Sequence, residues 1–127
     1  MSLRLKEVRV PTPRIRGEKI LAALLAGGDL VEYLVAGAIS PNDGVAILRP
    51  SAAAMAMTIA DGTISGETMR IEMLDQKDPT FTAVVTPANL TGATTITFAA
   101  IGEFAIIIWD EVAGAWQVRP GETATVA

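Results

Sequence analysis

The sequence contains no cysteine and no histidine among its 127 residues. Without cysteine the chain can form neither a disulfide nor a thiolate metal site. Without histidine it lacks the usual general base of nucleophilic catalysis, the usual zinc ligand and the side chain that titrates near neutral pH. These absences exclude hydrolases that depend on a histidine base. We therefore expect a protein that is not an enzyme and has no cofactor and no metal. A small enzyme that uses lysine or paired carboxylates, or a ligand-binding barrel, is the alternative.

Charged residues are also scarce. They make up 19% of the chain, whereas 50% of the residues are hydrophobic; an ordinary soluble domain has about 25% charged residues. The apolar runs are far shorter than the roughly 20 residues that cross a bilayer, so we expect no membrane partner. A small chain this apolar is predicted to bury part of its surface against other proteins. A well-packed monomer is the alternative.

The few charges are unevenly distributed. Residues 1–19 carry six cations and two acids, a balance of +4, and the remaining residues carry four cations and twelve acids, a balance of −8. A basic segment on an acidic body is typical of an arm with its own partner. The segment has no aromatic residue for base stacking, and the acidic body would repel a phosphate backbone. The expected partner is therefore an acidic protein surface and not nucleic acid.

Residues 1–16 are interpreted as an extended arm. Apolar residues alternate with polar ones on either side of Lys6-Glu7, and Pro11 and Pro13 exclude both a helix and a central strand. We expect the arm to add backbone hydrogen bonds to a sheet edge of a neighbouring subunit. An edge strand of its own domain, or a frayed end, is the alternative. The predicted partner-binding residues are its four apolar side chains and four arginines: Leu3, Arg4, Leu5, Val8, Arg9, Val10, Arg14 and Arg16.

One short helix is predicted over residues 18–26, with Gly27 after it as a stop signal. Four apolar residues share one face of this helix: Ile20, Leu21, Leu24 and Leu25. A helix this short needs packing to persist, and an extended conformation is the alternative. Its apolar stripe is predicted to be core or interface. We divide the chain into a basic N-terminal arm, residues 1–40, and a β-sandwich domain, residues 41–127.

The C-terminal part of the chain contains three short runs rich in β-branched and aromatic residues. Thr94–Ala99, Phe104–Trp109 and Ala115–Arg119 are separated by glycine-bearing gaps of hairpin length, and they predict a three-stranded antiparallel meander. Because the middle run is apolar at every position from Phe104 to Ile108, its strand should be covered on both faces, which requires a second layer. Residues 37–44 are predicted to form a turn-rich connector.

Similar runs predict further strands at intervals of turn residues, over 30–36, 45–48, 51–59, 69–74, 81–86 and 123–126. The predicted fold class is all-β, an antiparallel β-sandwich or jelly roll, with an extended N-terminal arm and at most one short helix.

The predicted β domain contains few candidates for a binding site. Asp75 and Asp78 could offer oxygen ligands to calcium, but the spacing of an EF-hand is absent, and a solvated loop is the simpler interpretation. Trp109 and Trp116 are expected to pair across a hairpin, and a sugar-binding platform is the alternative.

The order of turns and strand ends over residues 58–119 resembles that of small β domains in structural proteins of tailed bacteriophages. The matching pieces are short: Asp61-Gly62, Gly66-Glu67-Thr68, Val85-Thr86-Pro87-Ala88, Gly92-Ala93-Thr94-Thr95-Ile96-Thr97-Phe98, Ile107-Ile108-Trp109-Asp110 and Trp116-Gln117-Val118. Members of this group include capsid decoration (cement) proteins, head fibres and tail-associated modules. The resemblance implies a homotrimer or homodimer on the exterior of the capsid. It carries no residue-by-residue site.

The resemblance and the residues together lead to one expected function. The protein would be a non-enzymatic virion structural protein that decorates and stabilises a phage capsid by binding the major capsid protein, with the N-terminal arm contacting neighbouring subunits. The alternative is a recognition module at a tail or fibre tip, which would bind a host glycan through Trp109 or Trp116.

Overall fold

The computed structural model describes residues 29–119 and 123–127, and every regular element in these ranges is a strand. The ten strands are β1 (Asp29–Tyr33), β2 (Gly37–Ile39), β3 (Asp43–Leu48), β4 (Met55–Ile59), β5 (Thr68–Met73), β6 (Ala83–Pro87), β7 (Ile96–Phe98), β8 (Phe104–Asp110), β9 (Ala115–Val118) and β10 (Thr125–Val126). The all-β class is thus confirmed. The arm of residues 1–16 and the predicted helix at 18–26 lie outside the described residues.

The strands form two five-stranded sheets. Sheet A has the order β1-β3-β5-β8-β9 and sheet B the order β10-β7-β6-β4-β2. The first six strands alternate between the two sheets. Two crossings therefore bring the chain back to the same sheet, and it then runs in the same direction as before. As a result β1, β3 and β5 are parallel neighbours, as are β2, β4 and β6, and the other four pairings are antiparallel. The predicted sandwich is confirmed, but its sheets are mixed where antiparallel sheets or a jelly roll were expected.

The predicted meander is only half right. β8 and β9 form the expected hairpin, but β7 lies in sheet B, between β6 and β10. The turn after β7 explains the crossing. The Gly102 amide donates to the Met73 carbonyl at 2.8 Å, and the Met73 amide donates to the Glu103 carbonyl at 3.0 Å. These bonds tie the turn to the end of β5, so β8 begins beside β5 in sheet A and not beside β7.

The sandwich begins earlier in the chain than the expected boundary at residue 40. β1 pairs with β3 in sheet A, and β2, within the segment predicted as a connector, pairs with β4 in sheet B. Because Ile39 is the single buried residue of this three-residue strand, β2 shows no alternation that sequence reasoning could detect. The sandwich therefore includes residues from Asp29 onwards.

The core lies between the two sheets and follows the period of two along each strand. In β4, for example, Met55, Met57 and Ile59 are buried while Ala56 and Thr58 are exposed. β8 alternates in the same way, with its inward residues fully buried and its outward residues half-buried. Trp116 and Phe98 are the largest fully buried side chains. The inward positions thus make one continuous core, and any surface for a partner must be sought among the outward positions and the loops.

Candidate partner-binding surfaces

The outer side of sheet B presents small and uncharged side chains. Register places Ala38, Thr58 and Thr86 in one row across β2, β4 and β6. A second row crosses β4, β6, β7 and β10. It consists of Ala56, Val84, Thr97 and Thr125. We call these seven residues the charge-free face. Burying them against a partner would not require any charge to be removed from water, which is the most costly part of burying a polar surface.

A groove borders the charge-free face where β2, β4 and β6 end. Its volume is about 670 Å³, and its walls include Tyr33, Pro41 and Pro87 together with Thr58 and Thr86 of the charge-free face. The volume falls within the range of about 300–1,000 Å³ that is usual for ligand sites. The lining is mainly apolar and carries hydroxyl groups. The groove therefore offers shape and hydrogen bonds but not a reactive group.

Tyr33 closes one side of this groove. Its hydroxyl donates to Asp43 Oδ2 at 2.6 Å and accepts the Ser40 amide at 3.3 Å. Burial, and then the hydrogen bond to the Asp43 carboxylate, raise the pKa of Tyr33 to about 12. Tyr33 therefore remains a neutral donor at physiological pH, and these bonds hold the β2–β3 turn against β1.

The outer side of sheet A is chemically different, and we call it the charged face. Arg70 Nη2 lies 3.1 Å from Glu72 Oε1, and the guanidinium carbon of Arg70 is 4.3 Å from the centroid of the Phe104 ring. Arg49 makes a second ion pair with Glu32 at 3.3 Å. Cation–π contacts and partly buried ion pairs of this kind order long side chains across neighbouring strands.

The two tryptophans pair as the sequence predicts but do not form a sugar platform. Trp109 and Trp116 are directly opposed across the β8–β9 hairpin, with ring centroids 5.4 Å apart and ring planes at 67°. Trp109 is 4% exposed and Trp116 0%. Their indole N–H groups donate to Glu111 Oε1 at 2.6 Å and to the Ala60 carbonyl at 3.0 Å. Because both rings lie in the core, neither can stack on a glycan, and this part of the alternative interpretation is wrong.

Asp75 and Asp78, the two acidic residues considered as calcium ligands, both accept hydrogen bonds from nearby residues of their loop. Asp78 Oδ1 accepts hydrogen bonds from the Thr80 amide at 2.9 Å and from the Thr80 hydroxyl at 2.8 Å, and these bonds lower the pKa of Asp78. Asp75 accepts the Gln76 amide at 2.8 Å. Both carboxylates therefore shape turns. Residues 29–119 and 123–127 contain no cluster of three or more acidic, histidine or cysteine side chains arranged to hold a metal ion. The same ranges contain no helix long and apolar enough to span a membrane.

Charge is separated between the two ends of the sandwich. At the end where β2, β4 and β6 finish, which we call the acidic end, the loops and the end of β8 carry Asp61, Glu67, Asp110 and Glu111. The four cations of the described residues lie elsewhere, in the loops of the opposite end or on the charged face. They are Arg49, Arg70, Lys77 and Arg119. The acidic end thus has no cation among the residues that the structure describes.

The acidic end also exposes apolar side chains. Ile64 is 68% exposed and Val112 97% exposed, in neighbouring loops joined by a bond from the Glu111 amide to Ser65 Oγ at 2.7 Å. Glu67 orders the first of these loops, because its carboxylate accepts the Thr63 and Ile64 amides at 2.6 and 3.2 Å. The bond from the Thr63 amide is the main reason that the pKa of Glu67 is lowered.

All eight predicted partner-binding residues, from Leu3 to Arg16, lie outside the described residues. The charge-free face was not predicted, although the outward residues of strands such as Met55–Ile59 could have indicated it, because none of them is charged. A scan against protein-family models finds no match for the chain, and a search of curated proteins finds none either.

Proposed function

We propose that the protein is a non-enzymatic structural component of a tailed-phage virion, located on the capsid exterior, which stabilises the capsid by binding the major capsid protein. The charge-free face is the observation that carries this proposal. The chain beyond residue 19 has a balance of −8, so approach to another acidic surface is opposed over most of this body. A face of alanine, threonine and valine avoids that repulsion and suits close packing on a protein lattice.

The basic segment complements this face. Its six cations within residues 1–19 suit acidic groups on neighbouring subunits. Each such contact is weak, but a symmetric lattice repeats it, and linkage to a second contact on the same chain raises the effective concentration of both. A homotrimer or homodimer of the chain would add further contacts of the same kind, since closed symmetry repeats each interface. The arm and the face are thus two separable parts of one binding mechanism.

The face is tested by co-sedimentation with shells assembled from the cognate major capsid protein. We expect the full chain to pellet with the shells and the double variant Thr58→Lys/Thr86→Lys to remain in the supernatant, because it places two charges at the contact. The matched control adds the same two charges at exposed loop positions, in the variant Ala53→Lys/Ala113→Lys, and should pellet like the parent. Equal binding of both variants would rule out the face. Failure of the parent to pellet would rule out the function.

The arm is tested in the same assay. Deleting residues 1–16, or changing Arg4, Arg9, Arg14 and Arg16 together to serine, should abolish pelleting and leave the circular dichroism of the body unchanged. Arg119→Ser, which removes one exposed cation of the body, is the control. Parent binding should also weaken as salt rises, because the arm contacts are ionic. Undiminished binding after the deletion would exclude the arm from the mechanism and leave the face as the whole contact.

A further inference from the structure

Two grooves lie next to each other at the acidic end of the sandwich. The first is the groove of about 670 Å³ that borders the charge-free face. The second has a volume of about 380 Å³ and lies against the β6–β7 loop, where Asn89 and Leu90 belong to its walls. Thr86, Pro87 and Ala88 line both grooves. The two grooves therefore form one continuous channel, which is open to solvent along its length.

The channel suits an extended polypeptide segment. Its first part crosses the ends of β2, β4 and β6, and its second part continues along the β6–β7 loop. Because neighbouring strands lie about 4.8 Å apart, an extended chain at about 3.3 Å per residue crosses these three strands with about three residues. The walls are mainly apolar and include the hydroxyl groups of Thr58 and Thr86. Every second side chain of an extended segment points to the same side, so alternate apolar residues can enter the channel.

The rim of the channel is negatively charged. Ala60 lines the first groove and directly precedes Asp61. Asn89, which lines the second groove, donates through Nδ2 to Asp61 Oδ1 at 2.9 Å. The Asp61 carboxylate is thus held beside both grooves. Its donor is an uncharged amide, so this hydrogen bond does not neutralise the carboxylate.

Two further carboxylates belong to the same end. Gly62 follows Asp61, and a Cβ atom at Gly62 would lie 2.7 Å from Glu67 Oε1. Glu111 is joined to the same loop, because its amide donates to Ser65 Oγ at 2.7 Å. The described residues of the acidic end include no lysine or arginine. Cations that complement these carboxylates would therefore have to come from a bound partner.

We propose that the channel binds an extended peptide segment in which apolar and basic residues alternate. The apolar side chains enter the channel, and the lysine or arginine side chains beside them reach the carboxylates at its rim. The rim repels an acidic segment and gives no electrostatic attraction to an uncharged one. The charge-free face alone cannot select between these partners, because it carries no charge. The channel thus adds a preference for basic segments, and this preference does not depend on the proposed capsid function.

Fluorescence polarisation with the full chain and a labelled synthetic peptide tests this site. The probe alternates four valines with four lysines, and we expect it to bind with an affinity that falls as salt rises. A second peptide with serine in place of valine keeps every charge. It should bind about tenfold more weakly or worse, because it buries less apolar surface. Equal binding of the two peptides, or no binding of the valine–lysine peptide, would overturn the inference.

Two pairs of variants locate the peptide, with circular dichroism as the check that each variant is folded. Asp61→Asn removes a charge at the rim and should weaken binding by roughly two- to fivefold, whereas Asp75→Asn, in the β5–β6 loop at the opposite end, should not. Ala88→Trp fills both grooves and should prevent binding, whereas Ala100→Trp, in the β7–β8 loop, should not. Parental affinity in both Asp61→Asn and Ala88→Trp would exclude the channel as the site. Since this assay contains no capsids, its result is separate from that of the co-sedimentation test.

Discussion

The two outer faces of the sandwich share one core but have opposite chemistry. On sheet A, β3 to β8 carry two ion-pairing residues, a cation–π contact and the buried pair Val45 and Ile47. On sheet B, the corresponding outward positions hold alanine, threonine and valine alone. The inward positions of both sheets are uniformly apolar and therefore distinguish nothing. The charged face is thus held together by ion pairs and a cation–π contact within the chain, whereas the described outward residues of sheet B form no such contact.

The largest expected effect is a difference in stability between substitutions on the two outer faces. Ile47→Ala, on the charged face, should lower the free energy of unfolding by about 2–4 kcal/mol, because it removes buried methylene groups and leaves a cavity. Thr86→Ala, on the charge-free face, should change it by less than about 0.5 kcal/mol. Urea denaturation measures both values. A small effect at Ile47 would mean that the outer side of β3 is as open as that of β6, and the contrast would fail.

A second effect contrasts Gly62, in the loop between β4 and β5, with Gly37, the first residue of β2. A Cβ atom at Gly62 would lie 2.5 Å from Trp109 Cγ and 2.7 Å from Glu67 Oε1, whereas one at Gly37 would meet nothing within 4 Å. Neither glycine has a positive φ, so space alone decides the outcome. Gly62→Ala should cost about 1–3 kcal/mol by overpacking. Gly37→Ala should be neutral or slightly stabilising. Urea denaturation measures both free energies of unfolding, and equal changes for the two variants would contradict this packing.

A third effect concerns the charges of the charged face. Arg70 pairs with Glu72 and covers the Phe104 ring, so Arg70→Ala should cost about 1–2 kcal/mol through lost packing and a disrupted ion pair. The ion pair supplies only part of this cost, because the Arg70 side chain is 31% exposed and water screens its charge. The exposed Arg119, changed to alanine, should shift unfolding by less than about 0.5 kcal/mol. If both substitutions changed the free energy of unfolding equally, the contacts of Arg70 would not stabilise the charged face.

Local sequence patterns predicted the positions of the strands better than they predicted which strands pair with each other. The β8–β9 hairpin and the pairing of Trp109 with Trp116 follow from alternation and from a short turn, both of which lie within 20 residues. The parallel pairings of β1 to β6 join strands that are separated by a strand of the other sheet, so no local pattern specifies them. The burial of Trp109 is likewise a property of the complete sandwich.

The candidate surfaces show the same limit. The outward residues of each strand could be read from the sequence, but a face is made by neighbours in register. Thr58 joins Thr86 because β4 pairs with β6, and Val45 joins Arg70 because β3 pairs with β5. Sequence reasoning therefore found uncharged and charged residues without finding the faces that they form. It concentrated the predicted binding residues in the arm because a local pattern of charge was visible there.

The last prediction concerns Tyr33, which lies where β1 meets the groove. Tyr33 is the single tyrosine of the chain, so the absorbance of tyrosinate reports on it alone. Its pKa should be about 12 in the folded protein, and near its ordinary value of about 10 in denaturant. Because the folded state holds this proton more tightly, the stabilisation is complete below pH 10 and is lost as the pH rises from 10 towards 12. Tyr33→Phe should remove this part of the pH dependence and leave the other titrating groups unchanged. A folded titration midpoint near 10 would instead show that the Tyr33 hydroxyl faces water and makes no strong bond to Asp43.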